Sequence, residues 1–310
     1  MTPRALIYGT VALDTLYTPH GTATRTIGGS APYAALAARL VSPDFDMLGV
    51  VGDDYPAEFT AALEGAGVSL SRVERRAGRT FAWTGRYEQD MNLRETLETV
   101  EGVQEDWHPQ LPDELRHHAL ACMCNVTPPH QYHILSQCTS VFSMADYMER
   151  WIRREPEYTL RLIRTADMSL MNDSEACAWA GTDEPLCAGY ALLDAGARYA
   201  VIKHGSAGCT LFHRTPDGSD RLFRCPAWPL PHAVDPTGAG DSFMGALSAA
   251  LLPQLGGGTP PWEALTHAIA VATVIAGITC EQFGPAALLA ATPSLVAQRL
   301  ADFRRMTVWA

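Results

Sequence analysis

Several devices by which enzyme classes announce themselves are missing from this chain. There is no Gly-x-x-x-x-Gly-Lys-Ser/Thr stretch, which excludes a P-loop nucleotide site. No Gly-x-Gly-x-x-Gly follows the first apolar strand, so a dinucleotide oxidoreductase is not expected. His-Glu-x-x-His and Gly-x-Ser-x-Gly are absent too, removing the zincin and serine-hydrolase readings. Basic residues are scarce: 23 Lys+Arg stand against 34 Asp+Glu, a net charge of -11. Nucleic acid and anionic membranes need a basic footprint, and this chain lacks one. Its densest basic stretch, Arg150, Arg153, Arg154, Arg161 and Arg164, reads as a solvated helix face.

The eight cysteines are scattered and form no Cys-x-x-Cys pair, so free thiols in a reducing compartment are the simplest expectation. The longest apolar run, Ala268 to Ile278, is well short of the ~20 residues that span a bilayer. The N-terminus carries no signal-peptide pattern. A soluble, cytoplasmic protein is expected.

What is present is a rhythm. Apolar strands begin at Leu6–Gly9, with Val11–Leu13 running up to Asp14, and recur at Met47–Gly52, Ala119–Cys124, Ser140–Met144, Met168–Met171 and Tyr199–Lys203. Helical stretches alternate with them: Ser30–Leu40 with Pro32 in its first turn, Ala57–Ala66, and Leu186–Ala195. This alternation implies parallel crossovers and a three-layer α/β/α core. A hairpin is expected at Gly208–Phe212 and Arg221–Cys225, and the C-terminal third should be helical. Thr80 to Tyr87 alternates with period two, Phe81, Trp83 and Tyr87 on one face, as a half-exposed strand does.

The strongest chemical signal is Asp235-Pro236-Thr237-Gly238-Ala239-Gly240-Asp241-Ser242-Phe243, which opens an apolar helix. Glycine costs roughly 1 kcal/mol against alanine inside a helix, so two of them at a helix start call for a reason. Bare backbone N–H groups at a helix N-terminus favour an anion, and Asp241 in the first turn could take a proton from an attacking hydroxyl. A plain capped helix start is the alternative.

Asp235 to Asp241 resembles the signature of the ribokinase-like (PfkB) carbohydrate kinases. The resemblance implies a three-layer α/β/α core with a mostly parallel central sheet and a small β-sheet lid. It implies an ATP-dependent phosphotransferase with an alcohol as acceptor. Gly238, Ala239 and Gly240 would form the anion hole and Asp241 the catalytic base, with Asp235 at the substrate and Thr237 at the cofactor. Asn172-Asp173-Ser174-Glu175 resembles the family's Asn-x-x-Glu motif, placing Asn172 at the nucleotide and Glu175 at Mg2+. The same four residues also read as a capping box. Lys203, Gly205 and Gly208 resemble a stretch that lines the ATP site. Asp14 with Gly28-Gly29 resembles the substrate signature, the Asp at a strand end and the glycines hinging the lid.

The expected organisation is one domain over 1–310, with the lid formed from about 12–28 and 78–105. Position 33 is Tyr33 where many of the family's sugar kinases carry Asn, which removes an amide from the sugar site. That counts against a plain ribose-like or fructose-like acceptor. The resemblance implies a small sugar or sugar-like alcohol as acceptor, with a nucleoside or an inositol as the alternative, or else a non-catalytic ligand-binding relative. Further candidate contacts are Gly85, Arg86, Tyr87, Asp90, Asn92, Arg94 and Thr96 after the lid strand. Asn125, Gln131 and Asp146 stand near strand ends. Family lids often pair, so a homodimer through the exposed faces of Phe81 and Trp83 is also implied.

Overall fold

The computed structural model describes residues 3–88 and 94–307. Its strands are β1 (Ala5–Tyr8), β2 (Ala12–Thr18), β3 (Gly21–Gly28), β4 (Phe45–Gly52), β5 (Val73–Arg76), β6 (Phe81–Tyr87), β7 (Arg94–Val100), β8 (Leu120–Met123), β9 (Phe142–Asp146), β10 (Met168–Asn172), β11 (Tyr199–Lys203), β12 (Cys209–Arg214) and β13 (Asp220–Cys225). The helices are α1 (Ser30–Ala38), α2 (Ala57–Gly65), α3 (Asp113–Arg116), α4 (Pro128–Leu135), α5 (Glu149–Arg154), α6 (Pro156–Thr165), α7 (Asp173–Ala180), α8 (Pro185–Ala195), α9 (Ala239–Leu251), α10 (Trp262–Thr279), α11 (Ala286–Ala290) and α12 (Pro293–Thr307).

Nine strands form the large sheet in the order β13-β12-β11-β10-β9-β8-β1-β4-β5. All neighbours from β5 to β11 are parallel, and the β12–β13 hairpin closes one edge antiparallel. The pleat sends alternate side chains to opposite faces. Ile7, Cys122, Leu170 and Val201 pack with α1, α9 and α10 on one face; Leu6, Met123, Met171 and Ile202 pack with α4, α6 and α8 on the other. That is the three-layer core expected from the apolar runs.

The winding reverses at β1. From there the chain builds outward to β4 and β5 on one side, then returns to β8 and continues to β11 on the other. Because crossovers are right-handed, reversing direction also changes the face that the helices cover. The gap between the ends of β1 and β8 is thus a topological switch point, where open α/β sheets bind ligands.

A second sheet of four strands, in the order β3-β2-β6-β7, stands over this edge. The first apolar stretch does not run as one strand to Asp14. It breaks after Tyr8, where the Thr10 amide donates to Ser30 Oγ at 3.1 Å and Ser30 Oγ donates to the Asn125 carbonyl at 2.8 Å. The chain then re-forms as β2 in the smaller sheet, so Asp14 lies inside a strand, not at its end. β7 was not foreseen: Arg94-Glu-Thr-Leu-Glu-Thr-Val is largely polar, and residues 95–98 are exposed along an edge strand. The five arginines between Arg150 and Arg164 are all exposed, as a solvated face requires. α10 is long and apolar enough, by length and composition alone, to cross a membrane, but 61% of it is buried inside the fold.

Candidate active site

One cleft lies between the smaller sheet and the carboxyl ends of β1, β8 and β9. Ala12, Asp14, Phe81, Trp83 and Thr99 line it from the smaller sheet; Thr10, Asn125, Thr127 and Met148 follow the strand ends. Tyr33 of α1 and Thr237, Gly238 and Asp241 at the start of α9 close a third side. The sequence-predicted residues Asp14, Gly29, Tyr33, Asn125, Thr237, Gly238 and Asp241 are therefore brought together from four separate stretches of chain.

Two glycines are required here by their neighbours. Gly28 lies so close to Asp14 that a β-carbon would overlap its carboxyl group. Asp14 Oδ2 in turn accepts from the Gly29 amide at 3.4 Å. Gly238 caps α9 in the left-handed conformation, φ 76°, and a β-carbon there would run into the Tyr33 ring. Both demands exclude a side chain and explain the bare backbone at this helix start. α9 begins beside the cleft, which Gly238 and Asp241 line; Ala239 and Gly240 lie in its first turn, and the Ala239 amide donates to the Pro236 carbonyl at 3.1 Å.

Lys203 ends β11 and its ammonium donates to Asp146 Oδ1 at 2.6 Å. A β-carbon on Gly240 would come within 3.0 Å of Nζ, so the cation sits beside the glycine-rich turn. Burial works against that charge, but the carboxylates of Asp146 and Glu175 outweigh it and raise the Lys203 pKa. Gly205 and Gly208 shape the turn after Lys203, away from the cleft that holds Asp14. Asn172 and Glu175 form the reciprocal capping box of α7: each side chain accepts from the other residue's amide at 2.8 Å.

Three expectations need correction. Asp235 is a structural brace: it is 1% exposed, and its two oxygens accept from the amides of Thr237 and Gly284, each at 2.9 Å. Burial raises its pKa despite these bonds. Arg86 does not join the cleft; it is exposed beyond it on β6, paired with Glu95 at 3.5 Å. Gln131 does not face ligand either, since its amide donates to the carbonyls of Met123, Cys124 and Asp146, lacing β8 to β9. Asp90 and Asn92 lie outside the described residues. Phe81 and Trp83 are half-buried and line the cleft.

Sequence reasoning missed Gln104, His130 and Trp151, which also line the cleft. Each is a lone residue in a polar or helical stretch with no motif around it. His130 is stacked on His108 with ring centroids 4.3 Å apart, and its Nδ1 lies 2.5 Å from Thr127 Oγ1. Burial, and then the neighbouring His108, lower its pKa to about 4. Tyr33 is pushed well above the usual phenol range by burial and by the surrounding Asp235, Asp14 and Asp241.

A parallel sheet covered on both faces, a smaller sheet over its switch point, and an acid beside a glycine-capped helix N-terminus define the ribokinase fold and its kinases. The chain belongs to the pfkB family of carbohydrate kinases, whose family profile matches residues 12–291. It is 28% identical to a cytidine kinase of Thermococcus kodakarensis over 251 residues, 79% of this chain and 87% of that one. Among solved structures, ribokinase of Giardia lamblia superposes with a TM-score of 0.80 at 18% identity, over 98% of this chain and 100% of that one. A nucleoside kinase of Burkholderia thailandensis in complex with inosine gives 0.75 at 20% identity, covering 98% and 97%. The enzyme is a kinase of this family, transferring a phosphoryl group to an alcohol of a small sugar or nucleoside.

Proposed function

We propose that the acceptor is a nucleoside, phosphorylated at the expense of ATP with Mg2+. The observation that carries this reading is the cleft wall: Phe81, Trp83, Met148 and Trp151 face the same space as Asp14 and Asp241. Flat apolar rings suit a nucleobase and offer little to a bare pentose, whose surface is hydroxyls. The 28% identical cytidine kinase supports the same choice.

The residues fit the proposed cofactor. Amides at Gly238 and Gly240, a helix dipole behind them and the Lys203 ammonium beside Gly240 make a cradle for a phosphoryl group, in which the Ala239 amide, donating to the Pro236 carbonyl at 3.1 Å, would join by leaving that turn. When bound, ATP supplies the phosphoryl group and Mg2+ offsets its charge. Glu175, next to Lys203, is the carboxylate proposed to serve that ion, through water if the capping bond is kept.

Asp14 orients the sugar hydroxyls, Asp241 takes the proton of the attacking hydroxyl, and the α9 amides hold the charge that builds on the transferred group. The smaller sheet excludes water, the competing acceptor. Coupled ADP release against nucleosides, pentoses, hexoses and inositols tests the proposal. Turnover on a nucleoside is expected, with Asp241→Asn lowering kcat by about 10²–10⁴-fold while ATP still binds. Turnover confined to a free sugar or cyclitol would overturn the nucleoside reading, and a near-normal Asp241→Asn enzyme would remove the base.

A further inference from the structure

Around this cleft, polar atoms are buried without a hydrogen-bond partner among the described residues: the Tyr33 hydroxyl, both amide atoms of Gln104, Asn125 Oδ1 and His130 Nε2. Leaving such atoms unpaired lowers the stability of the folded chain, and native structures keep few of them. Their gathering on one cleft is the mark of a surface completed by a ligand.

The group divides by face. Tyr33 belongs to the core face that carries α9 and Asp241, where the phosphoryl chemistry is placed. Gln104 and His130 stand on the opposite side. Val103, next to Gln104, packs on the other core face, and the His130 ring lies against the backbone of Gln104 and Glu105. Gln104 is 3% exposed and ends the turn Gly102–Gln104, which is held by the Val103 amide donating to the Arg79 carbonyl at 2.9 Å. The Tyr8 phenol lies close by, yet the pair falls outside hydrogen-bonding geometry. A primary amide fixed in this way offers a donor beside an acceptor in one plane. The chemical complement is a heterocycle edge with an acceptor beside a donor, such as the ring nitrogen and amino group of cytosine or adenine.

We infer that Gln104 reads the base: its amide pairs edge to edge with the donor–acceptor edge of the nucleobase, with His130 Nε2 as a second contact. This rests on the nucleoside reading above. It makes Gln104 a specificity-determining residue, acting in binding and not in phosphoryl transfer.

The test compares the wild-type enzyme with Gln104→Leu on cytidine and on 3-deazacytidine, which lacks the ring nitrogen. If adenosine is the better acceptor, 1-deazaadenosine takes that role. In the wild type, removing the nitrogen should lower kcat/KM by roughly ten- to a hundred-fold, mostly through KM. In Gln104→Leu the natural nucleoside should already have fallen to that level, and the deaza change should cost less than about two-fold. The ligand-free variant should melt no lower than wild type, because an unpaired amide has been replaced by an apolar group of similar size. If Gln104→Leu folds poorly, Gln104→Met answers the same comparison. Equal sensitivity to the deaza change in wild type and variant, or none in either, would overturn the assignment while leaving nucleoside turnover intact. A wild-type enzyme that accepts free pentoses and no nucleoside would overturn the underlying reading as well.

Discussion

The hydroxyl of Thr237 donates to the phenol oxygen of Tyr87 at 3.1 Å, and both residues are buried. This bond joins the last residue of β6 to the turn that precedes Gly238, so the smaller sheet is tied directly to the start of α9. Any movement of that sheet over the cleft must keep the bond or break it. Tyr87→Phe leaves the Thr237 hydroxyl with one partner fewer, at a cost of about 1 kcal/mol, or ~2 °C in Tm for a chain of this size. Calorimetry reads the Tm, and steady-state kinetics should show a several-fold fall in kcat/KM for the acceptor. An unchanged acceptor kcat/KM would mean that the bond is structural alone.

The Lys203–Asp146 pair leads to a second prediction. Both side chains are largely buried, 16% and 8% exposed, so removing the carboxylate leaves a poorly compensated cation. Glu175 and Asp241 remain nearby and limit the damage. Asp146→Asn should destabilise by about 1–3 kcal/mol. It should also raise KM for ATP more than KM for the acceptor, because Lys203 loses the anchor that holds it beside Gly240. Separate titration of the two substrates checks this.

Much of this architecture could be read from the chain, and the reasons are physical. Strands such as β11 are short apolar runs between turn residues, a pattern that survives in one dimension. Asp235–Asp241 stands out in the sequence as a glycine-rich string opening an apolar helix, and at Gly238 the left-handed backbone and the Tyr33 ring leave no room for a side chain. What could not be read depends on contacts distant in sequence. The role of Asp235 hinges on the Gly284 amide, 49 residues away. Gln104 meets the cleft because its turn is tied to the Arg79 carbonyl and packs beside β4 and β6, and His130 because α4 follows β8. Their types and spacing carry no sign of it. Arg86 continues a strand that lines the cleft, but β6 extends past it, and the register shift between Thr84 and Gly85 breaks the simple alternation.

Gly28 yields a third prediction. A methyl group there must displace the Asp14 carboxyl group, and the surrounding strands β2 and β3 are paired through Ala12↔Gly28. Gly28→Ala should cost about 1–3 kcal/mol by overpacking. It should raise the acceptor KM about ten-fold or more while leaving KM for ATP near wild type. Gly65→Ala is the control: nothing lies within 4 Å of a β-carbon in that exposed last turn of α2, so both constants and the Tm should hold or the Tm rise slightly. Equal effects on the two substrates in Gly28→Ala would show general unfolding instead of a displaced carboxylate.

The stacked imidazoles predict a pH dependence of stability. His130 has its pKa lowered to about 4 by burial and by His108, against about 6.5 in an unfolded chain. Between those values the unfolded state binds a proton that the folded state refuses, so stability rises with pH there. The contribution is fully present above about pH 6.5 and is lost as the pH falls towards 4. His130→Asn removes that titration. The Tm of the variant should therefore fall less than that of wild type on going from pH 7 to pH 4.5, whatever its absolute value. Parallel Tm curves for the two proteins across this window would show that His130 accepts its proton freely in the folded state.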